Sequence, residues 1–154
     1  MKTIKKYTRE AFLAITSLGT TFFFVIIIVF LLTLGEVKIA KSLGLGLILC
    51  YVFAFLLRLF YFKERPEKED YFNLFTKINA SSFPSLHTMG SIYAAIVLAN
   101  EIRKPLASIF LVFMALLIGY SRIYLKKHYF IDVVFGFILG IIAGVIYLFL
   151  INFS

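Results

Sequence analysis

An all-α, polytopic transmembrane bundle is the fold class this sequence predicts, and three observations predict it. Of the 154 residues 62% are hydrophobic, and the 16 Lys and Arg and 8 Asp and Glu come in clumps between long uncharged stretches. A soluble domain interleaves the two kinds so that each element keeps a face for water. Five of the stretches can cross a hydrocarbon core about 30 Å thick, which takes roughly 20 apolar residues in a helix. They are continuous rather than alternating, so they do not read as strands of a closed barrel, and backbone groups in lipid must then pair inside helices.

A basic start (Lys2, Lys5, Lys6, Arg9) imitates a secretory leader. Ala11 to Gly35, however, carries no charge for 25 residues, which is too long for a leader and long enough to span. The first span is placed at about 11 to 34 and the second at 42 to 62. A long polar connection, Lys63 to Phe83, holds Lys63, Glu64, Arg65, Pro66, Glu67, Lys68, Glu69 and Asp70. Such a run reads first as solvated surface. The third span is expected over 84 to 100 with Pro84 at the first helical position, where its missing N–H costs nothing. The fourth runs from 105 to 121, and the fifth from 129 to 152. Together they make one domain, 1 to 154. Gly136, Gly140 and Gly144 repeat small residues at every fourth position, a pattern that admits another backbone at close range. Packing inside the bundle is favoured over a face for a second copy, a homo-oligomer. Cys50 has no second cysteine to pair with and reads as packing.

The net charge of +8 calls for an anionic partner. In so apolar a chain that partner is lipid headgroups, reinforced by the bias of Lys and Arg in loops, and not nucleic acid.

With five spans, the loops after spans two and four lie on the same side of the bilayer. Arg58 and Arg65, Ser85 and His87, Ser121 and Arg122, and His128 and Asp132 therefore meet at one face, and both histidines of the chain are among them. Ionisable groups at membrane depth are costly enough that function is the default reading. Arg58 and Arg65 are two helical turns apart, so both can reach one anion if the helix persists to Pro66. Free N–H groups at the start of span three, with the Ser85 hydroxyl, suit an anion too. Asp132 lies one turn from His128, placed to hold the Nδ1 proton and leave Nε2 as a nucleophile. Lys126 and Lys127 read as interfacial anchors.

Arg58 to Pro66 (Arg, six residues, Arg, Pro), Pro84-Ser85-Leu86-His87, and Ser121-Arg122, five residues, His128, three residues, Asp132 resemble the three signature motifs of the type-2 phosphatidic acid phosphatase family. These are membrane lipid phosphatases related to the vanadium haloperoxidases. The resemblance covers about 58 to 140, and two positions depart from it. Arg58 stands where the family usually has Lys, exchanging a point ammonium for a planar fork. Leu86 stands where it usually has Gly, which keeps the backbone N–H directed at phosphate but adds a side chain.

The resemblance implies a lipid phosphate or isoprenoid diphosphate phosphatase that uses no metal and no cofactor. His128 would form a phosphohistidine, Asp132 would orient it, and His87 would protonate the leaving oxygen and then activate water. Arg58, Arg65, Ser85, Leu86 and Arg122 would hold the phosphoryl oxygens. The Pro-Ser-Leu-His spelling also looks like that of relatives that pass the phosphoryl-bearing group to an alcohol. A silent lipid-phosphate binder or transporter is a third reading, to which two histidines and a carboxylate would be superfluous. The family's site faces away from the cytoplasm of the cell membrane, whereas twelve Lys and Arg on the site's side against four on the other argue for the reverse. The expected orientation follows the family.

Overall fold

The structure, a computed structural model, describes residues 2–152 as seven helices. They are α1 (Lys2–Ser17), α2 (Thr21–Thr33), α3 (Val37–Phe60), α4 (Leu74–Ala80), α5 (Leu86–Ile102), α6 (Pro105–Tyr124) and α7 (Phe130–Asn152). Among the described residues three helices, α3, α6 and α7, are long and apolar enough to cross a membrane alone. The expected first span is a broken pair instead, with α1 and α2 meeting at 49°. The cause is local. Hydroxyls of Ser17 and Thr20 donate to the carbonyls of Ala14 (2.7 Å) and Ser17 (2.7 Å), and Thr20 caps α2 by accepting from Phe23 N–H (3.2 Å). Such side chains offer the backbone an alternative to continued helix.

α5 is the axis of the bundle, and α3, α6 and α7 all pack on it. At 17 residues it rises about 26 Å, slightly less than the hydrocarbon core. Helices in lipid gain little from burying apolar surface, so van der Waals fit between small residues holds them together. The glycines of α7 supply that fit. A Cβ at Gly136 would lie 2.8 Å from the Ser85 carbonyl oxygen, and one at Gly140 2.5 Å from that of Met89. At Gly144 it would strike Ile96. The stripe is thus occupied by α5, the packing inside the bundle that the sequence favoured. The outward faces of α2, α3, α6 and α7 carry exposed Phe, Ile, Leu and Val, as contact with acyl chains requires.

The C-terminal ends of α3 and α6, the N-terminal ends of α5 and α7 and the α1–α2 break all gather at one end of the bundle, tied by Arg58 to Pro84, Asp132 to Ser85 and Arg122 to Thr16.

Candidate active site

Arg58 ends the buried stripe of α3, and its Nε and Nη2 donate to the carbonyls of Phe83 (3.2 Å) and Pro84 (2.7 Å). α3 stops at Phe60, so Arg65 does not share a helical face with Arg58 as the spacing suggested. It arrives from the loop, held by donation to the Asn79 carbonyl (2.8 Å) and by an ion pair with Glu69 (2.5 Å). The two arms of that loop zip together. Ser82 N–H donates to the Lys63 carbonyl (2.8 Å), Lys63 N–H to Ser81 Oγ (3.2 Å) and Ser82 Oγ to the Glu64 carbonyl (3.2 Å). The run 63–70 is therefore only partly the solvated surface it resembled.

The turn from α6 to α7 places the second half of the site. Lys126 adopts φ 55°, and the N–H groups of Lys127 and His128 both donate to the Arg122 carbonyl (3.0 and 3.2 Å). That fold-back sets His128 beside Arg122. His128 is 2% exposed, and its Nδ1 lies 2.5 Å from the Ser82 carbonyl oxygen. A carbonyl only accepts, so Nδ1 carries the proton and the lone pair sits on Nε2. Burial, and then the charges of Arg122 and Arg65, push the imidazole well below its ordinary pKa, against the opposing pull of Ser82. That shift favours the neutral ring.

Asp132 does not hold His128. Its carboxylate, fully buried, pairs with Lys63 Nζ (2.5 Å) and accepts the Tyr129 N–H (2.9 Å), while its carbonyl accepts the Ser85 N–H (3.1 Å). It thus joins the loop, the start of α5 and the start of α7. The reason is position: three residues into α7, it reaches back to the orphan N–H of Tyr129 just before the helix. Lys63 also lies over the Tyr129 ring, 4.7 Å from its centroid. Lys127, read as an anchor, instead pairs with Glu67 (2.9 Å) and Glu69 (3.2 Å), clamping the loop to the α6–α7 turn. Burial works against the Glu69 carboxylate, but Arg65 and Lys127 hold it below the usual range.

Six of the residues singled out by sequence, Arg58, Arg65, Leu86, His87, Arg122 and His128, line one cavity of about 130 Å³. It is well below the roughly 300–1,000 Å³ of pockets that enclose a drug-sized ligand. Arg122 donates through Nη1 to Thr16 (3.0 Å), yet its Nε, like that of Arg65, is buried without a partner. Orphaned buried donors are rare and costly, and both belong to arginines that line the cavity. Ser85 and Asp132 are not in its lining. α5 begins at Leu86 with Ser85 as its N-cap, so Pro84 stands outside the helix, and the Ser85 hydroxyl pairs with that of Thr88 (2.9 Å). Sequence reasoning missed Lys63 and Ser82. The pair Ser81-Ser82 next to an apolar span was a faint signal for the latter; nothing marked Lys63. A cleft of about 330 Å³ opens beyond Arg65, lined by Lys68, Glu69 and Tyr71 among others. Among the described residues no three His, Cys, Asp or Glu side chains converge as metal ligands would.

The family model described as the PAP2 superfamily matches residues 39–153. Over 100 residues the chain is 34% identical to "Undecaprenyl-diphosphatase BcrC" of Bacillus subtilis (strain 168), covering 62% of this chain and 49% of that protein. It therefore spans about half the length of that curated relative. Among solved structures it resembles Aquifex aeolicus LpxE (TM-score 0.77, 31% identity, 92% of this chain and 86% of that one). It also resembles the first transmembrane PAP2 type phosphatidylglycerolphosphate phosphatase from Bacillus subtilis (TM-score 0.79, 22% identity, 95% and 77%), a likeness of fold alone.

Proposed function

The chain belongs to the PAP2 superfamily, and on that premise we propose that it is an integral membrane phosphatase that removes phosphate from a lipid phosphate or isoprenoid diphosphate through a phosphohistidine at His128. One observation carries the reading: Arg58, Arg65 and Arg122 line the same small cavity as both histidines of the chain, His128 with its Nδ1 committed to the Ser82 carbonyl. The cavity suits one phosphoryl group and leaves the lipid chain outside. The diphosphatase named among the relatives makes an isoprenoid diphosphate the first substrate to try.

In the first step the Nε2 lone pair of His128 attacks phosphorus, the bond to the leaving oxygen breaks, and His87 gives that oxygen a proton. In the second, His87 takes a proton from water as the water oxygen attacks phosphorus and the P–N bond breaks, releasing phosphate. Arg58, Arg65 and Arg122, with the N–H groups at the start of α5, hold the equatorial oxygens, where charge spreads in the transition state. Asp132 acts one contact away, fixing Lys63 and the α5 and α7 starts around the histidines. The site lies at the headgroup level, on the extracytoplasmic side in this proposal, where the phosphate of a membrane lipid waits.

The test is phosphate release by purified protein in detergent with a chelator present, from undecaprenyl diphosphate and from phosphatidic acid, beside His128→Ala. The expected result is turnover in the wild type and a loss of roughly a thousandfold or more in the variant. Release that survives His128→Ala, or that the chelator abolishes, would overturn it.

A further inference from the structure

The bundle holds a larger cavity that this chemistry does not use. Between α3 and α7 runs a groove of about 670 Å³, walled by apolar side chains such as Phe53 and Ile146, with Tyr93 of α5 in its lining. It is built rather than left over. The Tyr93 hydroxyl donates to the Ser42 carbonyl (2.8 Å), and only a glycine at position 46 leaves room for that ring, since a Cβ there would overlap it. At the mouth, at the end of the bundle away from the histidines, stand Lys38 and Lys41. Among the described residues neither has a carboxylate within ion-pair distance, whereas Lys63, Lys127 and Arg65 at the other end are all paired. The two acids of that end are otherwise placed: Glu101 accepts the Tyr147 hydroxyl (3.2 Å), and Glu36 precedes α3 without capping it.

The dimensions select an occupant. Fifteen residues of α3 separate Lys38 from Phe53, about 22 Å of helix. Half of a hydrocarbon core is about 15 Å, and a headgroup layer adds roughly 5–7 Å. One acyl chain of a single leaflet, with its phosphate, therefore fills the groove from end to end. Two ammonium groups at the polar end, without an ion-pair partner among the described residues, favour a headgroup with net negative charge over a zwitterion.

We propose that this groove is a binding site for one anionic phospholipid of the leaflet opposite the active site, its headgroup on Lys38 and Lys41 and one acyl chain between α3 and α7. The inference stands independently of the phosphatase reading, because no residue of it lines the reacting cavity. Native mass spectrometry of protein taken from membranes of equal phosphatidylglycerol and phosphatidylcholine tests it. The wild type is expected to retain one phosphatidylglycerol per chain at about tenfold preference. Lys38→Gln with Lys41→Gln should lose that preference, and Lys38→Arg with Lys41→Arg should keep it. Ala143→Phe, which fills the groove, should lower retention of both lipids. Equal retention of the two lipids by the wild type, or undiminished phosphatidylglycerol on the double Gln variant, overturns the proposal. Phosphate release is expected to be unchanged in the lysine variants, so its loss elsewhere reports on the active site separately.

Discussion

At one end of the bundle α2 turns into α3 through Leu34 to Glu36, and α5 into α6 through Arg103 and Lys104. Those turns are closed by backbone bonds such as Leu34 N–H to the Phe30 carbonyl and Arg103 N–H to that of Ala99, and Gly35 takes the positive φ the first one needs. At the other end more than twenty residues intervene between α3 and α5, only α4 among them helical, and their carbonyls are spent on side chains: Phe83 and Pro84 on Arg58, Asn79 on Arg65, Ser82 on His128. Irregular backbone next to a membrane is tolerated where protein groups satisfy it. The contrast teaches that the end holding the candidate site is irregular because its carbonyls aim cations and an imidazole, while the plain end has only to reverse direction.

Substitutions can break that contrast in graded ways. The largest effect beyond the loss of His128 itself is expected from Arg122→Lys, which keeps a charge but removes the buried, partnerless Nε–H. Phosphate release should fall about a hundredfold with the fold intact, measured as kcat beside a circular dichroism spectrum. Next comes Lys63→Met. It leaves the fully buried Asp132 carboxylate without its cation, and thermal unfolding in detergent should show a loss of about 3 kcal/mol. If stability is unchanged, Asp132 is not the tie described here.

The pH profile sharpens the same comparison. His128 is held well below its ordinary value, so it stays neutral as the pH falls through 6.5 and takes up a proton only as the pH falls through the lowered value. A plot of kcat/KM against pH should therefore show no acid limb at 6.5 from this group; a His128-dependent limb there would mean that the ring is not enclosed as described. The smallest effect is expected from Lys127→Gln. It frees Glu67 and Glu69 from a partly exposed clamp, and kcat/KM should change by less than about twofold, less still at high salt.

Much of this was legible in the amino-acid pattern. Uncharged runs located α3, α6 and α7 within a few residues, and counting spans brought Arg58, His87, Arg122 and His128 to one face because helix ends alternate sides. The break at Leu18 to Thr20 was hidden because hydropathy does not register a hydroxyl that competes for a carbonyl. Spacing misplaced Asp132 for a related reason. A separation of four fixes proximity along a helix, but His128 precedes α7 and turns away to a main-chain oxygen, while the partner Asp132 does find, Lys63, is 69 residues distant. Charge runs hide such partners, since one lysine among several looks like the rest.

The grip on His128 belongs to the peptide unit at position 82 and not to any side chain. Every amino acid brings the same oxygen, so a saturation scan would score Gly or Ala there as tolerated and pass over the position. Adding or deleting a single residue between Ser81 and Pro84, by contrast, would swing that oxygen away and release the imidazole, a vulnerability visible only to frame-preserving indels.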